Sequence, residues 1–143
     1  MVYVDTSVLV KLYVKEAYSR KASDWIRNNN EAIPKTIFHE LEFTNAVQLK
    51  LFRKEMSEKQ AGIVLRRLHE HEKEGIFYIP RIHWSDVFSY SLKLSNNHTK
   101  AIGSRSLDII HVASALSMGA DRFFTFDTKQ SQLASTAGIQ IVT

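Results

Sequence analysis

Four acidic side chains of this sequence stand where carboxylates could do chemistry: Asp5, Glu42, Asp108 and Asp127. Asp5 directly follows the apolar run Val2–Val4, and Asp127 follows a second apolar run. Both runs are typical of buried strands, and open parallel sheets bind ligands at the carboxyl ends of their strands. We therefore expect Asp5 and Asp127 to share one site, with Asp108 and Glu42 contributed by helices that begin nearby.

Four carboxylates in one place repel one another, so such a site is expected only around a cation. The chain contains no cysteine, which excludes thiolate ligands, and its six histidines show no metal-ligand spacing. Hard divalent ions prefer oxygen ligands, and Mg²⁺ combines one or two carboxylates with water and phosphate oxygens. The pattern therefore predicts a Mg²⁺ or Mn²⁺ site suited to phosphodiester hydrolysis.

Each acidic residue also has an ordinary structural interpretation. Asp5 could be only the N-cap of the following helix, and Asp127 a turn or cap residue. Asp108 could complement the dipole of its helix, and a single glutamate such as Glu42 is usually a solvated residue on a helix surface. The metal hypothesis therefore depends on the four residues together.

The composition limits the classes of protein that remain. A chain of 143 residues with 44% hydrophobic residues can bury one core, so we expect a single compact domain over residues 1–143. No apolar run resembles a signal peptide or a membrane span, which favours a cytoplasmic location. The net charge of +4 is compatible with a nucleic-acid partner but does not require one.

The elements that must position these acids alternate along the chain. Short β-rich runs are predicted at residues 2–4, 32–35, 76–80, 122–126 and 140–142. They are separated by longer stretches with helical periodicity. This alternation is the pattern of a parallel sheet with crossover helices.

Local signals mark several helix ends. Ser57, with Gln60 three residues later, is typical of a capping box, and Ser106 could cap the helix that carries Asp108. The turn-forming segment 96–99 is expected to break the helix of residues 84–94. Helical spacing also predicts one buried face of the Asp108 helix: Leu107, Ile110, Ala113 and Leu116.

Four segments of the sequence resemble one known family. They read VYVDTS from Val2, LEFTNAV from Leu41, RSLDIIHVA from Arg105 and FTFD from Phe124. In this order and spacing they resemble the PIN-domain family, in particular the VapC-type toxins. The resemblance covers essentially the whole chain, and the four acids in this order are its most specific part.

The resemblance implies a three-layer α/β/α sandwich around a five-stranded parallel sheet. It also implies a metal-dependent endoribonuclease, often inhibited by a cognate antitoxin, whose products carry a 5′-phosphate and a 3′-hydroxyl. The matching positions imply four catalytic and metal-binding residues, with polar support from one of two neighbours: Asp5, Glu42, Asp108 and Asp127, with Thr6 or Ser7.

Two of these acids have rivals nearby. Glu40 lies two residues before Glu42, and on a helix their side chains point about 200° apart, so only one can face the site. The resemblance favours Glu42, which precedes an Asn-Ala-Val run by three residues, as the family's glutamate usually does. Asp121 competes with Asp127, but it precedes its strand and would lie at the other end of the sheet.

Two other functions remain open. The chain could be a PIN-fold binding module without turnover, the state expected if an antitoxin fills the site. It could also be a phosphotransfer enzyme that uses Asp5 after the first strand. Such an enzyme would place a second acid where this chain has Ser7.

Surface residues suggest partners. Basic residues near the third acid, including Arg105, could contact the phosphates of an RNA substrate. The first two helices carry more apolar side chains than so small a core needs. These side chains could form a homodimer or antitoxin surface: Leu9, Leu12, Tyr13, Trp25 and Ile26.

Overall fold

The computed structural model describes residues 1–142. The strands are β1 (Val2–Val4), β2 (Ile33–Pro34), β3 (Phe77–Tyr78), β4 (Arg122–Phe124) and β5 (Gln140–Val142). The helices are α1 (Thr6–Tyr13), α2 (Ser19–Asn28), α3 (Ile37–Phe52), α4 (Glu58–Lys73), α5 (Trp84–Leu94), α6 (Lys100–Ile102), α7 (Ser106–Ser117) and α8 (Thr128–Thr136). In this range no helix has both the length and the apolar composition needed to cross a membrane.

The chain divides into two compact units. The first consists of Met1–Asp5 together with the chain from Arg81 onward, and the second consists of Thr6–Pro80. Each unit has its own parallel strands, because β1, β4 and β5 belong to the first and β2 and β3 to the second.

The first unit is built on a three-stranded sheet in the order β1-β4-β5, with Val4 opposite Phe124. Its core joins this sheet to α5, α7 and α8. Tyr3 stacks on Phe123 with 5.3 Å between the ring centroids, and its buried hydroxyl lies 2.8 Å from Nδ1 of His111. His111 therefore links α7 to the first strand.

Helix α7 is buried around most of its circumference, which corrects the predicted face. Of the predicted face, Ala113 is fully buried and Ile110 and Leu116 pack half-buried against the core, but Leu107 is 53% exposed. Ile109 and Val112, outside that face, are buried as well. The spacing rule assumes that one side of a helix faces solvent. Helix α7 instead packs against α5 and α8 as well as the sheet, so its helical period identifies only part of its buried surface.

The second unit pairs β2 with β3 in parallel, with Ile33 opposite Phe77. Helix α1 packs against α2, α3 and α4, and Phe43 of α3 is fully buried. Helix α3 begins with a capping box in which Thr36 and His39 exchange hydrogen bonds. The local sequence therefore determines where α3 starts, and burial of Phe43 holds it in the unit.

The five predicted strands are present, but they pair as a sheet of three and a sheet of two, which corrects the expected five-stranded sheet. Strand β2 gives a physical reason. The backbone N–H groups of Ile33 and Lys35 donate to the carbonyl oxygens of Ile76 and Tyr78 on the β3 side. The N–H that would point to the other edge of β2 belongs to Pro34, and proline has none. Strand β2 therefore cannot donate a ladder hydrogen bond on that edge.

One of the helix ends predicted from the sequence is confirmed, and two are wrong. The capping box predicted before α4 is confirmed. Ser106 does not cap α7, because the N-cap residue is Arg105 and no side-chain cap hydrogen bond forms there. Segment 96–99 does not end the helical path after α5, because Ser95–Thr99 widens into a π-helical turn that leads into α6. Gly103, with a φ of 72°, ends this path in the left-handed conformation that suits glycine.

A buried lysine follows β2. Lys35 is 1% exposed, and its Nζ lies 2.9 Å from Glu40 and 2.8 Å from Glu72. Burial disfavours its protonation, but hydrogen bonds to the two carboxylates outweigh this effect and raise the pKa of Lys35. The hydrogen bond from Lys35 in turn lowers the pKa of Glu40. This ion cluster ties the end of β2 to α3 and α4.

Candidate functional site

Asp5 lies at the carboxyl end of β1 and is almost fully buried, at 1% exposure. Its backbone N–H extends the ladder to the Phe124 carbonyl, and its Oδ2 accepts a 2.7 Å hydrogen bond from Thr125 Oγ1. Thr125 holds the matching position after β4, and its hydroxyl accepts a 2.9 Å bond from the backbone N–H of Asp127. Thr125 therefore connects the ends of two neighbouring strands at one edge of the sheet.

Asp108 lies in the first turn of α7 and is also buried, at 5% exposure. Gln130 of α8 donates from Nε2 to Asp108 Oδ1 at 2.9 Å. Arg105 donates from Nε to Asp108 Oδ2 at 2.8 Å. Gln130 is buried whereas Arg105 is mostly exposed, so packing fixes one partner and the other reaches in from solvent.

Asp127 is the N-cap of α8, which is the ordinary role that its position in the sequence allowed. Its Oδ1 accepts a 2.8 Å hydrogen bond from the backbone N–H of Gln130. Its Oδ2 lies 3.9 Å from Nη2 of Arg105, so one guanidinium faces both Asp108 and Asp127. The hydrogen bond to Asp108 and the charges of both carboxylates raise the pKa of Arg105.

Glu42 belongs to the second unit. It lies in α3 and accepts a 2.7 Å hydrogen bond from Oγ1 of Thr6, the first residue of α1. Thr6 follows Asp5 directly in the sequence, so the residue expected to give polar support does contact a predicted acid. The rival Glu40 instead pairs with Lys35 and has a structural role.

The remaining candidates from the sequence are Ser7 and Asp121. Ser7 is exposed on α1. Asp121 is mostly exposed, and its carboxylate pairs with the N-terminal ammonium, which lowers the pKa of Asp121. Because Asp121 precedes β4, it lies at the opposite end of that strand from Asp127, as the sequence predicts.

The acids of the first unit fit a divalent cation by their chemistry. Asp5, Asp108 and Asp127 offer only oxygen, and two of them are withdrawn from water, where a charge needs compensation. Within residues 1–142, no three Asp, Glu or His side chains form a ready-made metal cage. Mg²⁺ typically takes one or two protein carboxylates and completes its shell with water and phosphate oxygens. The donor set fits an open site of that kind.

Two residues of this network were not predicted. Thr125 was predicted only as part of a strand, although its position two residues before Asp127 could have identified it as a hydrogen-bonding partner of the acids. Gln130 lies three residues after Asp127, the spacing of an N-cap and the N–H that it accepts from. Its side-chain bond to Asp108 spans 22 residues, so it depends on the packing of α7 against α8. Arg105 was expected to contact RNA phosphates, and the structure pairs it with two acids instead.

A pocket of about 480 Å³ lies in the second unit between α1, α2, α4 and β3. Apolar and basic side chains line it together: Leu12, Ile26, Ile63, Arg27 and Arg67. In its wall the Tyr13 hydroxyl lies 2.6 Å from His71 Nδ1, and burial raises the pKa of Tyr13. Leu9 is fully buried, so it is not part of the surface that the sequence suggested.

Known proteins resemble the chain in sequence pattern and in fold. The family model of the PIN domain matches residues 2–135. FitAcB from Neisseria gonorrhoeae superposes with a TM-score of 0.69 at 17% identity, over 100% of this chain and 97% of that chain. VapC20 from Mycobacterium tuberculosis, described as a toxin that cleaves the sarcin–ricin loop, has a TM-score of 0.69 at 14% identity, over 97% of this chain and 96% of that chain. These likenesses confirm the predicted α/β PIN-like fold. No curated protein sequence matches the chain.

Proposed function

The chain belongs to the PIN domain family, and from that premise we propose that it is a Mg²⁺- or Mn²⁺-dependent endoribonuclease, the toxin of a toxin–antitoxin pair. The observation that carries the proposal is the burial of two carboxylates, Asp5 and Asp108, which accept hydrogen bonds from Thr125 and from Gln130 and Arg105 respectively. Burying carboxylates is unfavourable unless their charge is compensated. Such a pair at the end of a sheet is therefore expected where a cation and a phosphate bind.

We assign cation binding to the four acids that the sequence singled out: Asp5, Glu42, Asp108 and Asp127. A bound divalent ion supplies a more acidic water and neutralises charge on the phosphate. Thr125 and Gln130 hold two of the carboxylates in place, and the Thr6 hydroxyl orients Glu42. These hydrogen bonds fix the rotamers of the acids before a substrate arrives, which is the preorganisation that catalysis requires.

We propose RNA as the substrate. The net charge of +4 supports binding of a polyanion, since basic side chains provide the part of nucleic-acid binding that is independent of sequence. The similarity to VapC20, a toxin described as cleaving the sarcin–ricin loop, supports RNA over DNA. Hydrolysis is expected to leave a 5′-phosphate and a 3′-hydroxyl, as the family resemblance implies.

The neighbouring glutamates of α3 should respond differently to the same substitution. Glu42→Gln removes a proposed ligand charge, although its amide oxygen can still accept from Thr6, so we expect cleavage of a labelled RNA to fall at least about tenfold. Glu40→Gln weakens the ion pair with Lys35, so it should lower thermal stability and affect cleavage less. Initial rates at saturating Mg²⁺ and thermal unfolding of each variant measure the two effects.

These two variants are matched controls, because each removes one negative charge from the same helix. If folded Glu40→Gln loses more cleavage than Glu42→Gln does, the wrong glutamate has been assigned to the site.

The proposed partner is a small antitoxin that blocks the acids and docks on the second unit. The pocket between α1, α2 and α4 offers apolar contacts beside Arg27 and Arg67, so it suits an apolar anchor next to an acidic residue. A basic side chain of the antitoxin could pair with the acidic site, because a guanidinium binds carboxylates bidentately. The contact of Arg105 with Asp108 and Asp127 supports this part, since it is an internal example of such a pair.

Expression of the chain alone should slow bacterial growth, and co-expression with the protein encoded beside it should restore growth and yield a stable complex. Arg67→Glu reverses an exposed charge at the rim of the pocket and should weaken that complex without unfolding the chain. Growth curves and co-purification measure these effects, with catalytically impaired Asp108→Asn as the control that should not slow growth. The toxin proposal fails if an active enzyme leaves growth unaffected and no adjacent small protein co-purifies.

Two alternatives to an RNA-cleaving enzyme make different predictions. A PIN-fold binding module would bind a divalent ion and an antitoxin but would not cleave RNA. A phosphotransfer enzyme that used Asp5 would lack the second acid expected at Ser7. The first alternative is distinguished by RNA cleavage, and the second by a phosphoenzyme that wild type forms and Asp5→Asn does not.

The single domain and the homodimer also remain proposals. The family match over residues 2–135 includes residues of both units, which supports one nuclease domain. For the homodimer, one face of α3 carries the exposed apolar side chains Ile37, Leu41 and Phe52, the last of them 83% exposed. Exposed apolar patches of this kind often mark protein–protein contacts, so we propose that a second copy of the chain binds at this face of α3.

A further inference from the structure

Asp108 has two side-chain partners of different kinds. Gln130 is neutral and 6% exposed, whereas the side chain of Arg105 is charged and 73% exposed. Each has its shortest contact with a different oxygen: Gln130 Nε2 with Oδ1 at 2.9 Å, and Arg105 Nε with Oδ2 at 2.8 Å. The carboxylate is therefore held from one side by a packed amide and from the other by a cation that solvent can reach.

The side chain of Gln130 has one feature that is unfavourable for stability. Its Oε1 is buried and has no hydrogen-bond partner among the residues that the structure describes. A buried acceptor without a donor destabilises a fold, and an apolar side chain of the same length would avoid this effect. The backbone N–H at position 130, which donates to the N-cap Asp127, would be available from any residue other than proline. The amide side chain is therefore explained by its hydrogen bond to Asp108.

Arg105 is placed where it balances charge. Its guanidinium donates to Asp108 and lies 3.9 Å from Asp127 Oδ2, so it stands between two proposed cation ligands. The Arg105 side chain is mostly exposed, so solvent and salt weaken its attraction to the buried carboxylate of Asp108, and a competing cation can replace it. A divalent ion held by the same two carboxylates would compete with this guanidinium directly.

We propose that the two residues affect cation binding in opposite directions: Gln130 is a positioning residue that holds Asp108 ready for a divalent ion, and Arg105 is an internal counterion that the ion displaces. The inference rests on the proposed function, because it takes Asp108 and Asp127 as cation ligands. It extends that function by assigning roles to two residues outside the acidic set.

The test is the affinity of the full chain for Mn²⁺, measured by titration calorimetry without RNA. Gln130→Met keeps the length of the side chain and removes both the donor to Asp108 and the unpaired acceptor. We expect it to bind Mn²⁺ about 10- to 100-fold more weakly, the usual effect of losing an outer partner of a metal ligand. Its melting temperature in chelator should change little, because losing the hydrogen bond to Asp108 and losing the unpaired acceptor have opposite effects on stability. A large loss of Mn²⁺ affinity with little change in melting temperature is a combination that a merely structural role would not produce.

Arg105→Gln should have the opposite effect. It removes the competing charge and should tighten Mn²⁺ binding by about two- to fivefold, the size expected for the loss of a solvent-screened ion pair. Lys129→Gln is the matched control, because Lys129 is also a cation of the first unit, and its Nζ contacts the carbonyl of Gly103 rather than a carboxylate. Its effect should be smaller than that of Arg105→Gln. Raising the salt concentration should reduce the Arg105 effect and leave the Gln130 effect in place.

Weaker Mn²⁺ binding by Gln130→Met together with tighter Mn²⁺ binding by Arg105→Gln supports the proposal. It is overturned if Arg105→Gln binds Mn²⁺ as wild type does or more weakly, or if Gln130→Met binds it equally well or more tightly. If Gln130→Met does not fold, Gln130→Asn takes its place with the same expectation, because it withdraws the amide from Asp108. A wild-type chain that binds no Mn²⁺ contradicts the proposed function itself, whereas wild-type binding with equal affinities in all variants contradicts only this inference.

Discussion

Asp5→Asn and Asp108→Asn should each abolish RNA cleavage while the chain stays folded. Each substitution removes the negative charge of a proposed cation ligand and keeps the shape of the side chain. The asparagine carbonyl can still accept the hydrogen bond that Thr125 or Gln130 donates. We expect initial rates on a labelled RNA to fall roughly a thousandfold or more, because electrostatic stabilisation at the phosphate is lost.

The stability of these two variants provides an independent check. Removing a buried negative charge should leave the melting temperature in chelator unchanged or higher, because the native site no longer holds that charge without its ion. Asp121→Asn is the matched control, since Asp121 is an acid at the opposite end of β4, and it should cleave at close to the wild-type rate. A folded Asp5→Asn protein that still cleaves RNA would remove Asp5 from the metal site.

Removing both carboxylates around Lys35 should destabilise the chain far more than removing Lys35 itself. The double substitution Glu40→Gln with Glu72→Gln leaves a buried ammonium without a countercharge, which should lower the free energy of unfolding by about 3–5 kcal/mol. Lys35→Met replaces the buried charge with an apolar side chain of similar length and should stay within about 2 kcal/mol of wild type. Urea denaturation of both variants measures the difference, and a larger loss in Lys35→Met would contradict the account.

The pH dependence of this cluster has a definite sign. The pKa of Glu40 is lowered in the folded chain, so its contribution to stability is present above the usual glutamate range and is lost as pH falls through the folded pKa. The pKa of Lys35 is raised, so its contribution is present at neutral pH and is lost only in strong alkali. The stability difference between wild type and Glu40→Gln should therefore be present at pH 7, begin to shrink as pH falls through the usual glutamate range, and disappear once pH is below the lowered pKa of Glu40. A difference that persists in acid would have another cause.

The elements of the fold were predictable from the sequence where the signal is local. Helix α5 and strands β1 and β5 have their predicted bounds, and the capping box of α4 is present, because these features depend on neighbouring residues. The division into a three-stranded and a two-stranded sheet was not predictable. The missing N–H of Pro34 matters only once it is known which edge of β2 pairs with β3. The buried surface of α7 was predicted only in part, because its extent depends on which elements surround that helix.

In the candidate site, too, only the features that depend on local sequence were predictable. That Asp5 and Asp127 both follow parallel strands was predictable, since strand direction follows from the alternating pattern, whereas the pairing of β1 with β4 was not predicted. The hydrogen bond from Gln130 to Asp108 was not predictable, because it joins two helices whose packing no sequence spacing reports. Arg105 and Asp108 are only three residues apart, so their ion pair could be predicted from the sequence. From the sequence, the charge of Arg105 was instead assigned to contacts with RNA phosphates.

Titration of divalent ions against cleavage of a labelled RNA by the wild-type chain tests the central proposal most directly. The account predicts no cleavage in chelator, and cleavage that returns when Mg²⁺ or Mn²⁺ is added in excess. It predicts products with a 5′-phosphate and a 3′-hydroxyl, and no such recovery in Asp108→Asn. Cleavage that continues in chelator, or a folded wild-type chain that binds Mn²⁺ and cleaves no RNA of any kind supplied, would contradict it.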